Sequence, residues 1–167
     1  MDIIEAPAVV TKAARPYLGI RVVTPFKGMF AVRDELMKEL YAYGDGILLF
    51  RLHVVDMAGP MDIEVGLLPD HPAGPGPVAA GPAEDRGRVR AGVRPAGRYA
   101  TMTYVNHGRR AHGMLIDWIR AADLEPDVTE TPAGDRFGCR YEAYLTDPRT
   151  ERMKTRWQIE LAIRLAD

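Results

Sequence analysis

The residue types able to do chemistry are few in this chain, and one stretch concentrates them. Arg140-Tyr141-Glu142-Ala143-Tyr144-Leu145 alternates aromatic or apolar residues with polar ones, and the turn Thr146-Asp147-Pro148-Arg149 follows it. That pattern predicts a strand. Side chains alternate along a strand, so Tyr141, Ala143 and Leu145 share one face, and Arg140, Glu142 and Tyr144 share the other. A carboxylate in mid-strand is poor β material. Either Glu142 stands on a solvated sheet face, or its face closes over something and Glu142 lies at the floor. In the second case a carboxylate beside aromatic rings can hold a cationic, apolar ligand, because Coulomb attraction and cation–π contact both strengthen on burial. An unpaired carboxylate there would also have a raised pKa and could act as a general acid or base.

Other constellations are scarce. There is no G-x-S-x-G, no P-loop and no dinucleotide fingerprint. Of the four histidines, His53, His71, His107 and His112, the last two are spaced wrongly for one helical face, and no H-E-x-x-H occurs, so no metal site is expected. His71 lies among Pro and Gly and reads as solvated. The single cysteine, Cys139, reads as a small buried residue rather than a nucleophile, since no base is positioned for it. Trp118 falls on an apolar helical stripe. Trp157 starts the last strand in phase with four aliphatic residues, as core or as the lining of a cleft at the strand end. Tyr104 ends a strand beside the turn Asn106-His107-Gly108, which puts its ring at a cleft mouth or in simple packing.

The elements that must position these residues follow from periodicity. Residues 1–15 read as a lead-in, and 17–23 as a strand. A helix covers 29–43, with Val32, Leu36 and Leu40 on a stripe widened by Met29, Met37 and Tyr43, and Gly44 supplies the stop. Strands follow at 47–56 and 62–68. The Pro/Gly-rich segment 70–87 reads as a flexible connector. Segment 88–93 alternates Arg with Val or Ala, as a solvated edge strand kept soluble by charge. A strand at 98–105, a helix at 108–122, a loop at 133–135, the strand at 140–145 and a last strand at 157–165 complete the chain. At 167 residues, 47% hydrophobic and 27% charged, this is a globular profile. The net charge of −1 argues against a dedicated nucleic-acid binder. No apolar run is long enough for a membrane span, no leader is evident, and the cytoplasm is the expected compartment.

The order is strand, helix, strand, strand, written twice. Asp62-Ile63-Glu64-Val65-Gly66-Leu67 reads against Gln158-Ile159-Glu160-Leu161-Ala162-Ile163. Matching Asp56 to Asp147 sets 48–56 against 139–147, which places Arg51 opposite Glu142 and His53 opposite Tyr144. The expected fold is α+β: two pseudo-symmetric βαββ repeats, 16–69 and 88–167, with antiparallel sheets, helices on one face and a central ligand cleft at the join. Arg51, if it reaches Glu142, neutralises it.

The second half resembles the GyrI-like small-molecule-binding domains, which include the effector-binding domains of multidrug-sensing bacterial regulators. The matching residues are Pro95-Ala96-Gly97-Arg98-Tyr99-Ala100, Gly108, Asp117-Trp118-Ile119, the strand from Tyr141 through Glu142 and Tyr144 to Asp147-Pro148, and the closing strand 158–163. The first half, 16–68, matches only by pattern. The resemblance implies that Glu142 is the pocket glutamate, with aromatic residues stacking on ligands. Tyr144, Arg51, His53, Tyr104 and Trp157 are the further candidate site residues. It implies a standalone binder of apolar or aromatic compounds, cations among them, needing no cofactor and no nucleic acid. The alternatives it leaves open are a hydrolase of strained electrophiles such as cyclopropane-bearing genotoxins, with Glu142 activating water, and a gyrase-inhibitor-like protein-interaction module. The connector, the residues Asn106-His107 before Gly108, and Arg51 depart from the usual pattern.

Overall fold

Alternating Val, Ile, Leu and Tyr over most of the sequence produce strands, and two apolar stripes of helical period interrupt them. A computed structural model describes residues 1–69 and 88–167; the expectations for the connector and for His71 lie outside the described residues. In chain order the elements are β1 (Asp2–Lys12), β2 (Arg15–Pro25), α1 (Met29–Leu40), β3 (Gly46–Val55), β4 (Pro60–Pro69), β5 (Arg90–Arg94), β6 (Gly97–Val105), α2 (Gly108–Ala121), β7 (Val128–Thr131), β8 (Gly134–Phe137), β9 (Arg140–Tyr144) and β10 (Gln158–Arg164). The fold is α+β. The strands form one antiparallel sheet in the order β1-β6-β10-β9-β3-β4-β2-β5, with the β7–β8 hairpin attached to β3.

The units β2-α1-β3-β4 and β6-α2-β9-β10 repeat the strand-helix-strand-strand order, and β3 pairs with β9 where they meet. Both helices lie on one sheet face. Leu36, Met37 and Leu40 of α1 pack on Leu18, Ile20, Phe50 and Ile63. Ala111, Leu115 and Ile119 of α2 pack on Ala100, Met102 and Leu161.

The opposite face carries a third core of Tyr17, Leu49, Leu68, Tyr99, Tyr141, Ala143 and Ala162. No helix among the described residues covers it; the sheet curls over it. β1 lies at one end of the strand order and β2 next to the other, yet residues 13–14 alone join them. Three residue steps span at most about 11 Å, so the two ends of the sheet lie side by side. Residues 95–96 make a second such link, from β5 to β6. Arg94 Nη2 donates to the Ala13 carbonyl at 2.9 Å, and Arg15 Nη2 to the Pro69 carbonyl at 2.7 Å, along this seam.

Three expectations need correction. Residues 1–15 are not a lead-in: β1 is an eleven-residue strand paired with β6. Both of its faces are largely exposed, so it lacks a one-sided apolar pattern. The loop expected at 133–135 is the turn of the β7–β8 hairpin, whose short, polar, mostly exposed strands give no periodic signal. The first helix stops at Leu40, and its last turn tightens to a 3-10 turn at Tyr41–Tyr43, ended by Gly44 at φ 140°, where a side chain would be strained.

Candidate ligand site

β9 is buried along its whole length, which settles the choice left open for Glu142: its face is enclosed, and the residue is 8% exposed. Three elements bring partners to it, and a fourth reaches it through one of them. Glu142 Oε1 accepts from Tyr104 Oη of β6 at 3.1 Å and from His112 Nε2 of α2 at 2.8 Å, while Oε2 accepts from Tyr144 Oη at 2.7 Å. His112 Nδ1 accepts from Arg140 Nη2 at 2.7 Å. A guanidinium only donates, so Nδ1 carries no proton and the ring proton sits on Nε2, facing Glu142. Tyr144 Oη in turn accepts from Arg33 Nη1 of α1 at 3.1 Å. Two arginines therefore flank Glu142, each one group removed, through a tyrosine on one side and a histidine on the other.

Local geometry makes this convergence fit. A Cβ at Gly108 would lie 3.1 Å from Tyr104 Oη, so a larger residue at the start of α2 would crowd the hydroxyl. Asn106 and His107, just before it, both take positive φ, 64° and 60°, an uncommon conformation for non-glycine residues. The Asn106 side chain supports it by accepting from the His107 amide at 2.9 Å.

Arg33 is the unexpected member. Its guanidinium carbon lies 4.9 Å from the ring centre of Phe30, 5.4 Å from Tyr144, and 5.9 Å from both Phe50 and Trp157. Its Nε and Nη2 donate to Asp34 Oδ1 at 3.1 and 3.0 Å. Trp157 stacks edge-on to Tyr144, and its Nε1 donates to the Glu151 carbonyl at 2.6 Å, which fixes the indole. Arg33, Tyr144 and Trp157 are all buried. The cleft expected at the join of the repeats is thus closed, with an arginine inside it. Two surface grooves lie nearby: one of 380 Å³ between α1 and β2, lined by Val22, Val32, Leu36 and Arg88 among others, and one of 160 Å³ on Tyr41, Asp45, Asp147 and Arg149. Tyr144 belongs both to the second groove and to the Glu142 cluster.

The electrostatics follow from the contacts. Burial alone would raise the Glu142 carboxyl. The hydrogen bonds from His112 and Tyr144 and the Arg33 charge outweigh it and hold the group well below the usual carboxylate range. Burial and the adjacent carboxylate push the Tyr104 and Tyr144 phenols up. Burial lowers Arg140 to about 10, against the pull of Glu142 and Asp135, and its Nε is buried without a partner.

The structure brings Tyr104, Tyr144 and Trp157 to Glu142, but not Arg51 or His53. Arg51 is paired with Tyr141 across β3–β9, and it is Phe50 that sits opposite Glu142. Arg51 points to the other face, where it donates to Tyr17 Oη at 3.2 Å, the Val93 carbonyl at 3.0 Å and the Gly138 carbonyl at 2.8 Å. His53 Nε2 meets Glu64 Oε1 at 2.8 Å, and Tyr17 Oη donates to the same oxygen at 2.5 Å. The cause is a β-bulge. Leu52 pairs with Ile63 but Val54 with Asp62, so His53 is an extra residue. Counting back from Asp56 through a bulge gives a register one residue out, and one residue flips every side chain to the other face. Arg33, Phe30 and Phe50 were not singled out from the sequence; Arg140 was placed on the Glu142 face and His112 weighed only as a metal ligand, neither as a site residue. Arg33 had a legible signal: Met29, Arg33, Leu36, Met37 and Leu40 form the buried stripe of α1, with a charge in its middle.

No family model matches the sequence, and no curated protein does either. Solved structures do resemble it. The C-terminal domain of EcmrR shares 15% identity over 99% of both chains with a TM-score of 0.63. SAV2435 bound to tetraphenylphosphonium shares 9% over 96% of this chain and 94% of its own, with a TM-score of 0.59. A hydrolase from Listeria innocua shares 12% over 97% of this chain and 92% of its own, with a TM-score of 0.58. The fold is that of the GyrI-like domains.

Proposed function

We propose that this chain is a small-molecule-binding module whose site, at Glu142, takes apolar or aromatic organic cations. One observation carries the reading. A cationic group already sits among the rings of Phe30, Phe50, Tyr144 and Trp157, one hydroxyl away from a buried carboxylate. Aromatic faces and a carboxylate are what an organic cation requires. The tetraphenylphosphonium bound by SAV2435 is such a cation and supplies a probe. The chemistry of Glu142 favours binding over water activation. The hydrogen bonds from His112 and Tyr144 and the nearby Arg33 charge hold its pKa low, so it is an ionised but weak base. A general base works best with a pKa near the operating pH.

Calorimetry tests this with tetraphenylphosphonium and neutral triphenylphosphine oxide. Glu142→Gln keeps shape and removes charge. The cation should lose roughly tenfold to a hundredfold in affinity, as for a charge-assisted contact of about 1–3 kcal/mol, and the neutral compound much less. Equal effects on both, or none on either, would overturn the assignment.

A further inference from the structure

We infer that Arg33 is a resident occupant of the Glu142 site, a side chain standing where the ligand goes, which an incoming cation must displace. This rests on the binding reading above. It adds the ligand class: monocations that carry more ring surface than a guanidinium and so outcompete it for the aromatic faces.

The argument begins with what holds Arg33. Of the five N–H donors of a guanidinium, one is seen on Tyr144 and two on Asp34. Arg33 makes no direct contact with Glu142; Tyr144 Oη stands between them, accepting from one and donating to the other. The inner half of the guanidinium's surroundings is therefore rings and a single hydroxyl. The outer half is Asp34, its own chain neighbour, at the rim, 31% exposed, and paired on its other oxygen with Lys154. A rotation of the Arg33 side chain toward solvent can retain the Asp34 pair while vacating the rings, with no change in α1. What remains is an aromatic enclosure, a tyrosine hydroxyl freed to turn, and an ionised carboxylate behind it. A purely structural arginine would be expected to bond the carboxylate itself, as a direct pair repays burial better than a relayed one.

An occupied site shows an affinity reduced by the fraction of molecules in which it is empty. Replacing Arg33 by Met preserves the apolar stripe of α1 and empties the cage of charge. Tetraphenylphosphonium, followed by Trp157 fluorescence and calorimetry, should then bind Arg33→Met about tenfold or more tightly than the unaltered protein. Adding Glu142→Gln should cancel the gain. Arg33→Lys, which keeps a cation but not the planar fork, should fall between. A direct test of occupancy uses Arg33→Ala: N-ethylguanidinium should raise its Tm, and neutral N-ethylurea should not. If Arg33→Met and Arg33→Lys fold but bind the cation no better than the unaltered protein, or if N-ethylurea stabilises Arg33→Ala as well as N-ethylguanidinium does, the occupant role is wrong. Should binding remain dependent on Glu142 in that case, the binding reading survives alone. If no variant binds any of these cations, both fail.

Discussion

At the scale of single residues the unusual object is a carboxylate with three hydrogen-bond donors and no direct cation. Such a group contributes to stability through its protonation equilibrium. In the unfolded chain Glu142 titrates near 4.3; in the folded protein it is held well below that. A depressed folded-state pKa means that the stabilisation is complete above about pH 4.3 and is lost as pH falls through the folded value. The stability gap between the unaltered protein and Glu142→Gln, from urea midpoints, should therefore be wide at about pH 6 and close progressively below about pH 4.3. A gap independent of pH would show that the charge of Glu142 contributes nothing. The donor chain makes a second claim. Nitrogen chemical shifts should show the His112 proton on Nε2 at neutral pH, and Arg140→Met, which removes the donor to Nδ1, should release that tautomer preference. Glu142 and Tyr144 were legible in the sequence because a strand alternates strictly, and a carboxylate in phase with a tyrosine stands out. His112 was not, because its partners come from β9, and nothing within its own helix announces them.

Elements set what each residue can reach, and here β3 is decisive. Its bulge at His53 turned a correct observation, that the repeats correspond, into a misplaced arginine. If Ile63 is set on Ile159, pairing across each hairpin makes Phe50 the counterpart of Glu142. The first repeat thus offers a ring where the second offers a charge. The sequence carries no mark of a bulge, since a bulge inserts a residue of any type. A cluster of close approaches on the other sheet face was equally hidden. The Tyr17 ring lies on Gly19, Gly66 and Gly92, three glycines in three adjacent strands: a Cβ would come within 3.0, 2.7 and 2.6 Å of its atoms. Gly66→Ala and Gly92→Ala should each destabilise by about 1–3 kcal/mol, the usual cost of overpacking, readable in urea midpoints. Pairing either with Tyr17→Ala should recover part of the loss, and strict additivity would mean that the ring and the glycines do not interact. Helix α1 teaches the opposite lesson. Its periodic stripe predicts the core, and the charged residue inside that stripe, legible in principle, is the one that fills the site.

For the molecule as a whole, the sheet is close to closed. β1 covers the outer edge of β6, the strand that supplies Tyr104. The pairing of β1 with β6 carries two register shifts, at 3–5 and 5–8, and Pro7 lies within the second, irregularities in the strand that discourage a further strand from pairing on its free edge. Removing residues 1–12 should expose the β6 edge, lower the Tm and promote association, as seen by scanning calorimetry and light scattering. An unchanged Tm would mean that β1 is an ornament on an already complete sheet. Residues 1–15 gave little sign of this in the sequence, because a strand exposed on both faces lacks the alternation that betrays a half-buried one.

The two short links at 13–14 and 95–96 have a kinetic corollary. The sheet they close is held by segments far apart along the chain. Asp2 pairs with Val105 and Leu48 with Tyr144, so both the β1–β6 pairing and the join between the repeats wait on loops of roughly a hundred residues to close. The hairpins β3–β4 and β9–β10 and the two helices are local and can form early. The contacts that complete the Glu142 cluster span 111 residues between Arg33 and Tyr144 and 38 between Tyr104 and Glu142, and the first of these belongs to the late, long-range class. Secondary structure should accordingly return before the Trp157 fluorescence of the native cage in a refolding experiment. During synthesis, the site would come into being only after the last third of the chain had emerged.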